Sequence, residues 1–359
     1  MAASPTHSRL PHFLATLYGL AIVYASLQPF APWMSPPAGT PHFLFAPWPP
    51  KWVRYDVVTN FLAYLPFGFF VALIPRPMHA IGRLAVAIGV AALLSFAMES
   101  LQAYLPTRDS SMADFLTNTA GATVGGAVAI AFARSAAAKD AIAAARERWF
   151  LAGKIGDLGL ALLAIWVAVQ TNPGIPLFAT MYDLAPRPGV PAPPPDVAAT
   201  LVEAAHSAFQ LVGVGLFLAL LLRERRYVAG AVLLLIGAAA FVKGVAAALL
   251  LKPAAWESWL APGVSLGVAA GTILLSMAIW LPRPAQITLA AIALLSSLLA
   301  TLFAPDLMHA RAPIALFNRS YGHLLNFNGL THTVLLLWPA VASVFLLALA
   351  GRPGWGEPT

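Results

Sequence analysis

The chain has 359 residues, 60% of them hydrophobic and only 10% charged, with a mean hydropathy of +0.78; soluble domains carry ~45–50% apolar and ~25% charged residues. A soluble fold of this size could not hide that much apolar surface, so the composition excludes a soluble enzyme, a nucleic-acid-binding protein and a disordered chain, and points to a polytopic membrane protein. The formal charge of +7 fits Lys and Arg gathered in loops on one side of a membrane, and the absence of cysteine removes disulfides, thiolate chemistry and Cys-based metal sites.

About 20 apolar residues cross a ~30 Å hydrocarbon core. Ten runs meet that description, near 11–29, 57–74, 84–105, 115–133, 155–171, 201–222, 227–251, 261–281, 285–303 and 331–350. The first is too long and too Pro-flanked for a removable signal peptide and lacks a small-residue cleavage site before Gln28-Pro29, so it is expected to be a span. With the N-terminus inside, 13 Lys and Arg fall in inner segments and 7 in outer loops, while Lys243 lies within a span. The bias predicts an N-in, C-in topology. The outer loops 30–55, 172–200 and 304–330 are rich in Pro and aromatics, and Trp33, Trp48 and Trp52 are expected to anchor the first at headgroup level. The expected organisation is all-α: a four-helix unit over 10–135, a charged inner linker over 136–154, a second four-helix unit over 155–281, and two further helices with a long outer loop over 282–359.

A shift of 147 positions places Pro29 on Pro176, Asp56 on Glu203, Gly68 on Gly215, Arg76 on Arg223 and Pro106 on Pro253. Four spans is an even number, so the two units would share one orientation and form a parallel repeat, the second copy degenerate.

Charged groups within an apolar span are costly and need a reason. Asp56 and Asn60 stand i,i+4 on the second expected helix; Ser95, Glu99 and Gln102 share a face of the third. Arg108 and Ser111 follow in a short loop, and Asp114 and Asn118, again i,i+4, open the fourth helix ahead of Gly121 and Gly125. The expected topology puts all of these at the outer end. Three uses remain open: a structural clasp in which Arg108 bridges the carboxylates, a polar pocket for a headgroup, or catalysis with Glu99 as a general base.

These residues also resemble a known family. Asp56-x-x-x-Asn60-Phe-x-x-Tyr64-x-Pro-x-Gly68, Glu99-x-x-Gln102 and Pro106-x-Arg108-x-x-Ser111-x-x-Asp114-x-x-x-Asn118-x-x-Gly121-x-x-x-Gly125 together are similar to the VanZ-like family over roughly 10–135. The resemblance implies a four-helix domain in the cytoplasmic membrane of a bacterium, a place in the cell envelope, and a link to antibiotic resistance through the founding member's association with teicoplanin. It supplies no reaction. Asn60 departs from the His common in the family at that position, which weakens any imidazole proton shuttle there. At the 147-residue shift, Glu99, Arg108 and Asp114 become Ala246, Ala255 and Ala261, so the second unit lacks the signature.

Elsewhere, Glu203, His206 and Gln210 share a helical face, and a Glu203–Lys243 pair would neutralise two charges in a low-dielectric setting. His309, Arg311, Arg319 and His323 lie in a loop that could contact anionic headgroups. The sequence has no Walker, HExxH or GxSxG motif, and no cofactor, metal or nucleic-acid partner is expected. The expected site is Asp56, Asn60, Glu99, Gln102, Arg108, Ser111, Asp114 and Asn118. It would bind or position a membrane lipid or lipid-linked envelope precursor, with Arg108 holding an anionic headgroup. The rivals are an enzyme acting on a lipid-linked substrate, with Glu99 or Asp114 as acid/base, and a scaffold for other membrane proteins of an envelope complex.

Overall fold

The computed structural model describes residues 8–46, 54–179, 197–303, 317 and 322–352. Among them the ordered elements are helical: α1 (Leu10–Leu27), α2 (Arg54–Leu73), α3 (Ala80–Gln102), α4 (Met112–Arg134), α5 (Ala136–Trp149), α6 (Gly153–Val169), α7 (Val197–Leu221), α8 (Val228–Leu250), α9 (Pro262–Ala278), α10 (Arg283–Phe303) and α11 (Gly322–Ala350), with three short 3₁₀ turns. Each of the ten expected spans coincides with one of these helices. Nine are long and apolar enough to cross a membrane among the described residues. The tenth, α6, has 17 residues, at the lower limit for a span. The remaining helix, α5, has 14 residues and buries none of them. The result is an all-α polytopic membrane fold.

The chain divides into two compact units, Met1–Glu147 and Arg148–Thr359. In the first, α2 and α4 make the principal contact. They approach so closely because glycine faces backbone: Gly121 and Gly125 of α4 lie against the carbonyl oxygens of Phe61 and Leu65, and Gly68 of α2 lies against Ala122. The core beside this contact is small-residue rich, with Ala72, Ala87, Ala91, Ala122 and Ala129 buried near Tyr64, Phe67 and Val71. Where lipid tails are as apolar as the side chains, such close backbone approach is the main attraction available. Arg76 and Arg83 hydrogen-bond the last carbonyls of α2, through Arg76 Nη1 to Val71 O (2.8 Å) and Arg83 Nε to Ala72 O (2.9 Å), capping that end.

In the second unit α7 is central and largely buried, packed by α9 and α10, while α11 packs on α10 and α6. Glycine against backbone recurs here: Gly267 and Gly271 of α9 lie against Ala204 and Ala208 of α7. Between α6 and α7, residues 172–179 are buried without being helical. Irregular backbone at such depth must find internal partners. Of the Trp residues expected as anchors, Trp33 is exposed, and Trp48 and Trp52 lie outside the described residues. His309, Arg311, Arg319 and the side chain of His323 lie outside them too.

Candidate functional site

The polar residues of the first unit gather where α2 begins, α3 ends and α4 begins, and they form two layers. The outer layer has one residue from each helix: Asn60 of α2, Glu99 of α3 and Asp114 of α4. One turn deeper on the same faces lie Tyr64, Ser95 and Asn118, since a four-residue step returns to the same side of a helix. Below them the small-residue core closes the bundle.

Capping chemistry fixes the outer layer. Ser111 is the N-cap of α4, and its Oγ accepts from Ala113 N (3.1 Å). Asp114 stands three residues on, where a capping box would fold it back onto the Ser111 N–H. That N–H instead donates to Glu99 Oε2 (2.8 Å), across from α3. Asp114 therefore turns to α2: the Asn60 side chain hydrogen-bonds it, and Asp56 and Asp109 lie within electrostatic reach. Both Glu99 and Asp114 sit at the N-terminal end of α4, where the helix dipole favours negative charge. Glu99 is only 3% exposed, and Asp114 and Arg108 are its charged neighbours.

The inner layer is less satisfied. Asn118 Nδ2 donates to Ser95 Oγ (3.0 Å), which leaves Asn118 Oδ1 buried with no hydrogen-bond partner. The Tyr64 hydroxyl, beside Ser95 and Glu99, is also buried without a hydrogen bond of good geometry. Asn118 is 5% exposed and Tyr64 3%. Buried polar atoms are nearly always paired, so two orphans in one layer require an explanation.

Gln102 and Arg108 do something different from what the sequence suggests. Gln102 Nε2 donates to Ser26 O (2.9 Å), and Arg108 donates through Nε to Gln28 O (3.0 Å) and through Nη2 to Ala25 O (2.6 Å). Together they take up the last carbonyls of α1, which no intrahelical N–H reaches. Of the three uses left open, the clasp with Arg108 bridging the carboxylates takes another form here: Arg108 caps α1, and Glu99 is a longer-range neighbour. Burial pulls the Arg108 guanidinium below its ordinary value and Glu99 opposes the shift; an arginine stays charged regardless. The eight expected residues separate into a clasp (Gln102, Arg108, Ser111) and a polar cluster (Asp56, Asn60, Glu99, Asp114, Asn118). Tyr64 and Ser95 complete the cluster. Tyr64 belongs to the motif run and Ser95 to the Glu99 face, so four-residue spacing was the signal for both.

Aromatic residues pack together next in sequence to Ser95 and Asp114. Phe43, from the segment after α1, is 2% exposed and packs 5.7 Å from Phe96 of α3 and 6.2 Å from Phe115 of α4, centroid to centroid. His42 stacks on the same Phe96 at 5.8 Å.

The second unit has two polar clusters of its own. Gln210 Nε2 donates to Ser297 Oγ (2.8 Å), which lies 3.1 Å from His206 Nε2. Lys243 is fully buried and donates to the carbonyls of Asn172 (2.8 Å) and Ile175 (2.9 Å). The expected Glu203–Lys243 pair is therefore not formed. The lysine serves the buried irregular segment, whose carbonyls would otherwise lack partners. Asn172 extends the cluster by donating to Asn328 Oδ1 (2.9 Å) and Thr331 Oγ1 (2.7 Å). Among the described residues, no group of three His, Cys, Asp or Glu side chains is placed to hold a metal ion.

Residues 8–133 match the family model described as VanZ/LLP1. The match covers about a third of the chain and ends one residue before the end of α4. It spans every residue of the candidate site and bears out the resemblance drawn from the motif. No curated protein and no solved structure gives a match. The first four helices are thus similar to the VanZ/LLP1 family, and further helices of membrane-spanning character follow in the second unit.

Proposed function

We propose that the VanZ-like unit binds or positions an amphipathic molecule of the bacterial cell envelope, a lipid or a lipid-linked precursor, at the outer leaflet of the cytoplasmic membrane. The polar part enters the two-layer pocket of α2, α3 and α4, and the apolar part lies along Phe43, Phe96 and Phe115. The observation that carries this reading is the pair of buried orphan atoms, Asn118 Oδ1 and Tyr64 Oη, in the layer one helical turn below Asn60, Glu99 and Asp114. Leaving a polar atom buried and unpaired costs about 1–3 kcal/mol. A helical bundle has no structural need of that cost, whereas a binding site recovers it when occupied. The second unit, with Ala246 and Ala261 where the 147-residue shift places Glu99 and Asp114, keeps a close glycine–backbone contact without those two carboxylates.

The test is native mass spectrometry of the protein extracted with its own lipids, wild type beside Asn118→Leu and Arg108→Ala. Wild type is expected to retain an adduct that Asn118→Leu loses. A folded Arg108→Ala protein should keep it, because Arg108 caps α1. A wild type with no adduct, or an Asn118→Leu protein with an undiminished one, contradicts the reading.

A second reading, an enzyme acting on a lipid-linked substrate, draws on the two carboxylates Glu99 and Asp114 within electrostatic reach of each other in a buried setting, the arrangement that lets one act as acid and the other as base. It is distinguished by Glu99→Gln, which would then keep the ligand and lose turnover.

A further inference from the structure

We infer that the polar group admitted by the pocket is a primary ammonium, not an anionic headgroup; the inference rests on the binding role proposed above. Its first ground is the fate of Arg108, the cation that lies between Glu99 and Asp114 in sequence. Arg108 spends Nε and Nη2 on the carbonyls of Gln28 and Ala25, at the end of α1. Those two donors are committed to backbone and do not serve a phosphate.

The second ground is the sign of what remains. Glu99 and Asp114 are electrostatic neighbours, and Asp114 also feels Asp56 and Asp109. A phosphate placed among these carboxyl groups opposes their ionisation in a medium of low dielectric, where repulsion is strongest, whereas an ammonium favours it.

The third ground is independent of charge. Asn118 commits its Nδ2 to Ser95, so the atom it leaves without a partner is the carbonyl oxygen, an acceptor only. It is 5% exposed, so bulk water does not serve it. A ligand that satisfies Asn118 Oδ1 must bring an N–H or O–H. A primary ammonium brings three donors and a positive charge, and so meets both demands. The Tyr64 hydroxyl, one turn below Asn60, can accept from it or bridge to Glu99. A trimethylated ammonium has the charge and no N–H, and separates the two demands.

Such an ammonium reaches a membrane protein from two sources, the headgroup of an ethanolamine phospholipid or an amino group on a glycan or peptide carried by a lipid. The experiment loads the full-length protein in neutral detergent with equal amounts of a short-chain phosphatidylethanolamine, phosphatidylcholine or phosphatidylglycerol, or with a dodecyl glucosaminide, and reads retention by native mass spectrometry. At least one of the two primary amines is expected to bind ten or more times better than phosphatidylcholine and phosphatidylglycerol. Which amine binds identifies the source. Glu99→Gln and Asn118→Leu should each lower that selectivity about tenfold, and the wild-type ranking stands as a test even if a variant fails to fold. Preference for phosphatidylglycerol, lost in Asn118→Leu, overturns the ammonium while leaving the binding role intact. Equal retention of the ethanolamine and choline lipids also overturns it. Retention of none of the four probes by a folded protein overturns the inference, and if native lipids are also absent, the binding role falls with it.

Discussion

Asn118 places the largest demand on any account of this protein. Its nitrogen holds Ser95 and its oxygen holds nothing. Replacing it by Leu forfeits one hydrogen bond, about 1 kcal/mol net, and removes an unpaired carbonyl that costs about 1–3 kcal/mol. The expected outcome for Asn118→Leu is a melting temperature in detergent equal to or above that of wild type. A clear drop would mean the residue is structural. Arg108 makes the opposite case: Arg108→Ala strips two donors from the end of α1 and should lower the melting temperature. The contrast also shows what sequence can carry at this scale. The i,i+4 steps from Asn60 to Tyr64, from Ser95 to Glu99 and from Asp114 to Asn118 were visible, because a helix converts spacing into a shared face. The role of Arg108 was not, because its partners are main-chain carbonyls 80 and 83 positions away and no side-chain pattern marks them. Nor could spacing show that Glu99 takes the cap position that Asp114 occupies in a capping box.

At the scale of elements, the contact between α2 and α4 depends on the absence of side chains at Gly121 and Gly125. A Cβ at Gly125 would overlap the Leu65 carbonyl oxygen, which is rigid backbone. Gly125→Leu must therefore push the helices apart, and it should abolish cooperative unfolding of the first unit in a thermal melt. A variant that melts like wild type would refute the close approach. In the second unit, Lys243 does comparable work for the buried segment 172–179. Lys243→Met keeps the bulk of the stem but leaves two carbonyls without their donor, at about 1–3 kcal/mol each. Hydrogen exchange of residues 172–179 should accelerate in that variant; unchanged protection would show that the lysine is dispensable. The spans themselves were legible, since each is a long apolar run. The segment 172–179 was not, because Pro, Gly and Asn within it suggest an ordinary loop and only burial sets it apart.

At the scale of the whole molecule, the Lys and Arg bias proposes an orientation that places the pocket at the outer leaflet. A reporter fused to the C-terminus should be active in the cytoplasm, and activity only on the far side would reverse the proposal. The proposed repeat gains a sharper register. Phe61 and Leu65 of α2 play the part of Ala204 and Ala208 of α7, a shift of 143, while Gly121 and Gly125 play the part of Gly267 and Gly271, a shift of 146. The uniform shift of 147 paired Asp56 with Glu203; packing instead sets Glu203 against Asn60 and Ser207 against Tyr64. The central claim is that the first unit alone holds an envelope amphiphile, and in-cell photocrosslinking tests it most directly. A photoreactive residue replaces Phe96, beside the pocket, or Leu302, an exposed residue of α10 in the second unit. A discrete lipid-type adduct is expected at position 96, absent at 302 and lost when Asn118→Leu is added. No adduct at 96, or the same adducts at both positions, would contradict it.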